Sequence, residues 1–512
     1  MKKVIYSLSL MIASWSCSSS YLDTAPQSNA DAKIIFATTE NAEFVINGIC
    51  KLMCMKHSSQ ALFGEGTIKV FYGDYPGNDF QPSSYTSYAA VTNGNFYENN
   101  THFINYYPWY YYYKLIGNAN AVICHIDDAQ GLIEKKQFIK AQALTFRAYS
   151  YLMLSQLYCR RWVDSNGDSR GLPLRLDEGE DDDLVASTLA EVYGRIYADL
   201  DEAIGLYQSS GLNRPAKDNY SPNIDVAYAT YARAALTRGD WENAAHYASL
   251  VRKNYPLMSA EEYTEGGFST PNAEWIWSSY GAPDESEGFA SFLAYMASNS
   301  SSGQCVKRPG AIAKELYDRI PVTDIRRGMF LDPKEDAFSS SNGLAENELD
   351  KRARLEYGTK LYSESMIFAY MQFKFQVQAQ PGVGHVNHFR VAEMYLTEAE
   401  ACCHLAGREK DARQLLQELN SDRDPAYTCT QTGDALLEEV RLYRRIELWG
   451  EGFNWFDYKR WNLPIVRKTF AKGGSFASGF AITLNPGDKN NWTFVYPSRE
   501  VDYNGLIPSS KE

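Results

Sequence analysis

The residues best placed to do chemistry in this chain are its acids. Asp74 and Asp79 share a loop crowded with rings. Two carboxylates facing each other across a cleft would suit acid–base cleavage of a glycosidic bond. A denser set lies at 441–461, where Arg441, Arg444, Arg445, Glu447, Glu451, Asp457, Lys459 and Arg460 alternate with aromatic residues. Opposed charges interleaved with rings favour a buried ion-pair network that locks this segment onto helices, over a catalytic acid pair. Asp164, Asn166 and Asp168 have the opening spacing of a calcium loop. Ser169 stands where that loop needs glycine, and Arg175 where it needs glutamate. His385 and His388 have no third ligand nearby, so no zinc site is expected. No nucleophile elbow, HExxH or phosphate-cradling loop is present. The expectation is no enzyme, no metal and no cofactor.

A second kind of chemistry needs no catalyst. Ligand recognition uses aromatic rings, which offer flat apolar faces, together with fixed polar partners. Two loop regions supply that mixture: Tyr72, Asp74, Tyr75, Asn78, Asp79 and Phe80 within 64–108, and Tyr280, Phe292 and Tyr295 within 264–309. These are the expected ligand contacts. Trp275 and Trp277 alternate like one face of a short buried strand and are left out. Composition agrees, with 37 Tyr, 24 Phe and 10 Trp; most must fill a core, yet tyrosine also suits recognition surfaces. A net charge of −13 argues against binding nucleic acid or an anionic membrane through charge.

The elements that must position these residues read mainly as helices. Long helices are expected at 109–127 and 134–160, the second with Ala141, Leu144, Ala148, Tyr151, Leu152 and Leu154 on a wide apolar face. A further set runs over 188–256. There Ala232, the turn residue Gly239, Ala244 and Pro256 follow the tetratricopeptide order, which Gly407, Ala412 and Pro425 repeat loosely in 390–425. Such pairs bury their apolar faces only by stacking on neighbours.

The first residues read as an address. Lys2 and Lys3 precede an apolar stretch from Val4 to Ala13, too short to span a bilayer, and Ser16 then precedes Cys17. That order resembles a lipoprotein signal over 1–16, with lipid on Cys17, although Ser14 and Trp15 depart from the usual pattern. The other eight cysteines have poor spacings for disulfides, such as the adjacent Cys402 and Cys403, and are expected in the core.

Several stretches together resemble one family. Tyr21-Leu22-Asp23 with Pro26, the helix from Trp109 through Asn120, FRAYSYLMLSQLY and Gly171-Leu172-Pro173-Leu174 all fit. So do Gly239-Asp240-Trp241, FRVAEMYLTEAEACCHLAG and, most specifically, RRIELWGEGFNWFDYKRW at 444–461. In this order they resemble the SusD-like (RagB/SusD) outer-membrane lipoproteins along nearly the whole mature chain. The polar segment CRRWVDSNGDSR at 159–170 is longer than is usual there.

The resemblance implies a mostly α fold, with tetratricopeptide-like pairs as scaffold and an irregular, loop-rich half carrying the ligand site. It implies a single body over 17–512. It also implies a glycan or other oligomeric ligand, a SusC-like TonB-dependent barrel as partner, and an outer-membrane location through a lipid anchor only. The residues themselves leave open a surface glycoside hydrolase or lyase, and a helical-repeat interaction scaffold. Replacing Cys17→Ala should release the protein from membranes on fractionation. A variant that stays in the membrane fraction would show that another segment anchors it.

Overall fold

A computed structural model describes residue 32 and residues 34–57, 62–83, 89–178, 183–281 and 290–507; Cys17 lies outside them. Helix α1 (Thr39–Leu52) is followed by one α-turn, Gly64–Thr67, which widens into a π-helix over Ile68–Asp74. Strand β1 (Phe80–Pro82) comes next, then the long helices α2 (Phe103–His125) and α3 (Ile133–Tyr158). Helices α4 (Leu189–Ser210), α5 (Ile224–Arg238) and α6 (Trp241–Arg252) follow. Strands β2 (Trp275–Ser279), β3 (Gly310–Ile312) and β4 (Val386–Arg390) thread an irregular stretch. Helices α7 (Val391–His404), α8 (Glu409–Asn420), α9 (Gly433–Glu447) and α10 (Asn454–Trp461) come last among the long elements.

The fold is mostly α, as the patterning implies. Helix α2 packs on α3, α3 on α4, α5 on α6, α6 on α7, and α7 on α8. Gly239 caps α5 at φ 81°, a left-handed conformation that costs glycine no Cβ clash. Ala244 and Ala412 are fully buried in the second helix of their pairs. The strands only pin loops: β1 pairs antiparallel with β3 (Phe80 opposite Ile312), and β2 with β4 (Trp275 opposite Arg390). One hydrophobic cluster runs from Phe36 to Ile507.

Helix α2 begins earlier than the expected residue 109, and the reason is a repair. Pro108 lies inside it and has no N–H to give the Ile104 carbonyl. The Tyr72 hydroxyl donates to that carbonyl instead, at 2.7 Å. One residue on, the Tyr158 hydroxyl accepts from the Trp109 N–H and donates to the Asn105 carbonyl. Two buried phenols thus carry the helix through a proline that would otherwise end it.

The run at 441–461 is the ion-pair network its pattern suggests. Arg390, at the end of β4, reaches Glu274 at 2.6 Å, Glu447 at 2.8 Å and Glu451 at 2.8 Å. Arg326 joins Glu447 at 2.8 Å, and Lys374 joins Glu451 at 2.7 Å. Arg423 lies within 4 Å of Glu274 and Glu447, and Asp324 pairs with Arg326. Burial alone would raise the Glu447 carboxyl, but the guanidiniums of Arg390, Arg423 and Arg326 outweigh it and hold it far below the carboxylate range. Glu447→Gln should therefore cost about 3–5 kcal/mol, the usual penalty for orphaning a buried charge. Asp350→Asn, in the exposed pair with Arg354, should cost about 1 kcal/mol or less. Urea unfolding of both variants checks this; equal small losses would show that the buried network carries no special weight.

Candidate functional site

The expected ligand loops start from the π-helix. Its wider turn is closed by the Tyr75 N–H donating to the Val70 carbonyl at 2.9 Å, five residues back. That turn presents Gly73 to the loop after α9, so closely that a Cβ there would run into the Gly452 carbonyl. Asp74 follows, and its Oδ2 accepts the Gly452 N–H at 2.8 Å. Its Oδ1 has no hydrogen-bond partner among the described residues. Burial drives the Asp74 carboxyl up to about 8, against the pull of the Gly452 N–H and Lys69.

Most of the expected contact residues are buried in this structure. Tyr72 is buried by its helix repair. Tyr75 and Phe80 stack at 5.3 Å, and Phe80 stacks in turn on Trp449 at 5.3 Å. Asp79 is buried against Arg445, at 2.6 and 2.8 Å, and also receives the Asn454 amide. Asn78 is half-buried, and its side-chain oxygen accepts the Val466 N–H at 2.7 Å. Phe292 packs edge-on to Phe375 at 5.5 Å, and Tyr295 edge-on to Phe71 at 5.3 Å. These rings and acids hold the irregular segments onto α9 and its following loop, so in this conformation they have no open face for a ligand. The same engagement leaves Asp74 and Asp79 unable to act as a pair across a cleft. Trp275 and Trp277 are buried in β2, as their alternation implies.

Tyr280 alone among the expected rings stays half-buried, and it has company. Tyr220, in the loop between α4 and α5, lies edge-on to it at 5.1 Å. His385, just before β4, stacks on Tyr220 at 5.7 Å and nearly parallel, 7°. All three rings are partly exposed. The Tyr220 carbonyl accepts the Trp277 indole N–H at 2.8 Å, and Asn219 binds the Ser278 backbone and hydroxyl. His385 donates its backbone N–H to Ser269 at 2.9 Å. Burial pulls the imidazole below its ordinary value, so the ring is neutral near pH 7. Its Nδ1, and the Asn387 amide nitrogen beside it, have no hydrogen-bond partner among the described residues. Three loops distant in sequence thus converge on a rim of aromatic faces with polar atoms beneath.

Tyr220 and His385 are absent from the sequence-based set. The available signals were weak: Tyr220 sits in a short polar loop between helices, and His385 follows the turn glycine Gly384. His388 is buried and shares a hydrogen bond with Ser279 at 2.7 Å, so it points away from this rim's solvent side. Among the described residues no group of three or more His, Cys, Asp or Glu could hold a metal. Asp164 spends its carboxylate on Arg161. The cysteines expected in the core divide: Cys50, Cys159, Cys305 and Cys402 are buried, whereas Cys124 is exposed.

Comparison with known proteins places this arrangement. A family model described as "SusD family" matches residues 354–504, and one described as "Starch-binding associating with outer membrane" matches residues 20–236. The chain belongs to the SusD-like family. A curated relative, SusD-like protein P2 of Formosa agariphila, is 29% identical over 147 residues, covering 28% of this chain and 26% of that relative. Among solved structures, a SusD-like carbohydrate binding protein from Bacteroides vulgatus is 24% identical with a TM-score of 0.76, covering 92% of this chain and 98% of its own. Surface glycan-binding protein A from Bacteroides thetaiotaomicron, in complex with laminarihexaose, is 16% identical with a TM-score of 0.67, over 92% and 98% of the two chains. In this SusD-like body, the family's charged-aromatic run and the π-helix are welded together through Asp74 and Gly452.

That weld has a pH signature. Asp74 keeps its proton in the fold up to about 8, whereas the unfolded chain releases it near the ordinary aspartate value, roughly 4. Between those values the folded state holds the extra proton, so this group's contribution to stability falls as pH rises from 4 to 8. Asp74→Asn removes the titration. Urea midpoints should shift in favour of the variant on going from pH 5 to pH 8; parallel profiles would mean that Asp74 is ionised in the fold.

Proposed function

We propose that this chain is an outer-membrane lipoprotein that binds a glycan at the Tyr220–Tyr280–His385 rim and passes it to a TonB-dependent barrel. It acts as the barrel's lid, anchored through lipid on Cys17, and it catalyses no reaction. The observation that carries the reading is the convergence of three partly exposed rings from separate loops. Flat faces of that kind pack against the C–H faces of a sugar, while the unpaired His385 and Asn387 nitrogens lie beneath, closed to solvent in this conformation. A neutral imidazole also suits an uncharged ligand better than a cationic one would.

Two further points support it. The family model matching the first part of the chain is described as starch-binding and associated with the outer membrane. The Bacteroides thetaiotaomicron protein of the same fold is seen with laminarihexaose. Against hydrolysis stands the fate of the acids: Asp74 and Asp79 are both buried and committed to Gly452, Arg445 and Asn454. A retaining or inverting hydrolase needs two carboxyls open to the same sugar.

Calorimetry with the cognate glycan, found by panel screening, tests the site. Tyr220→Ala and Tyr280→Ala should each cost on the order of 1–3 kcal/mol, by analogy with base stacking on aromatic side chains. The ligand should emerge uncleaved, and pull-down from mild detergent should recover a large TonB-dependent protein. Unchanged affinity in both variants moves the site elsewhere; turnover of the glycan replaces the reading with the hydrolase.

A further inference from the structure

A second pocket lies apart from the ring cluster, where the end of α3, the start of α4, the end of α5 and α10 meet. Arg160, Arg161, Lys459 and Arg460 line it, with Thr237 and Trp162, and no carboxylate does. In a chain with a net charge of −13 that is a local reversal of sign. Its cavity measures about 30 Å³. That is room for a couple of waters or one anionic head group, and too little for a sugar ring.

The cations differ in how far they are neutralised. Arg460 is spent on Glu400 and Asp457. Arg161 gives Nε and one terminal nitrogen to Asp164, while its Nη1 is enclosed with no hydrogen-bond partner among the described residues. Lys459 is buried, and its ammonium donates to two backbone carbonyls, Gln156 at 2.7 Å and Cys159 at 3.0 Å. Carbonyls satisfy two N–H groups but carry no charge, and the ammonium's other neighbour is the Trp455 ring, 5.2 Å away, which carries none either. Lys374, also buried, has the Glu451 carboxylate at 2.7 Å. Arg160 is exposed beside the pocket.

We propose that this pocket is a binding site for one anionic oxygen group, a carboxylate or a sulfate, seated on Lys459 and Arg161. An anion there would supply the charge that the carbonyls do not, in a setting where water screens little. After a small shift of the Arg161 side chain, its Nη1, closed to solvent in this conformation, would also donate to the anion. The pocket is independent of the glycan reading, so either can fail alone. It also gives a task to the polar segment 159–170, which otherwise only departs from the family pattern.

Proton uptake marks the site. Burial pulls Lys459 down to about 7; Cys159 and Asp164 push it back up, and Arg161 pushes it further down. Arg160, Tyr193 and Arg460 with its carboxylates complete its surroundings. With Lys459 pulled down to about 7, an anion bound beside it would favour the charged ammonium and draw a proton on. Affinity should then fall about tenfold between pH 6 and pH 8.

The test is calorimetry on the mature chain with sodium sulfate, with galacturonate and with galactose, each in two buffers of different ionisation heat. Sulfate or galacturonate should bind with proton uptake, and galactose should not bind. Sulfate alone would point to a free anion or sulfate ester, and galacturonate alone to a uronate; either supports the site. Lys459→Met should abolish binding. Arg160→Ala, a surface change that leaves the core untouched, should weaken it several-fold and keeps the test valid if Lys459→Met fails to fold. No anion binding, anion binding that survives both substitutions, or equal binding of galactose would each overturn the proposal.

Discussion

The structure depends on Arg390. Its guanidinium meets three carboxylates from three places in the chain: Glu274 before β2, Glu447 at the end of α9 and Glu451 in the loop beyond. All of these side chains are at most 6% exposed. Charges so placed cannot be left unpaired, because the cost of desolvating them is recovered only when every partner is present. The irregular half of the molecule has few strands and only short helices of its own. It is held in register by this demand for charge balance as much as by apolar packing. Arg326, Arg423 and Lys374 extend the same constraint to the segments they come from.

The aromatic content serves the same end by a different route. A phenol buries a large apolar face and still offers a hydroxyl that can donate and accept. Tyr72 and Tyr158 use theirs to complete α2 around Pro108. Tyr112 and Tyr149 use theirs to hold the buried Glu65 at 3.0 and 2.6 Å. A chain this rich in tyrosine can therefore fold loops that lack regular secondary structure without stranding their carbonyls and acids. Tyr220 and Tyr280, on loops, stay partly exposed.

The two proposed sites divide along the same physical line. The rim of Tyr220, Tyr280 and His385 has flat faces and a neutral imidazole, which suits an uncharged ligand. The pocket at Lys459 has cations and no lining acid, which suits a single negative group. One follows from rings that the core did not absorb, and the other from charge that the ion-pair network did not balance.

Much of this was written in local pattern. Helical periodicity located α3, the Gly239 and Gly407 turns located the helix pairs, and alternation marked Trp275 and Trp277 as buried. Opposed charges at 441–461 announced a network, because carboxylates and guanidiniums packed that densely among rings have nowhere to go but to each other. Pattern alone could not say which tyrosines face a ligand. Tyr75 and Tyr280 occupy similar polar, glycine-rich surroundings in the sequence. One is buried against Phe80, and the other lies on a rim, only because Gly73 meets Gly452 and Tyr280 meets Tyr220. The partners of Asp74, Asp79 and Arg390 lie between about 60 and 380 residues away in the chain. Composition and spacing determined that this protein has helical pairs, a buried charge network and surplus rings. Contacts between distant segments decided which rings and which charges were left over.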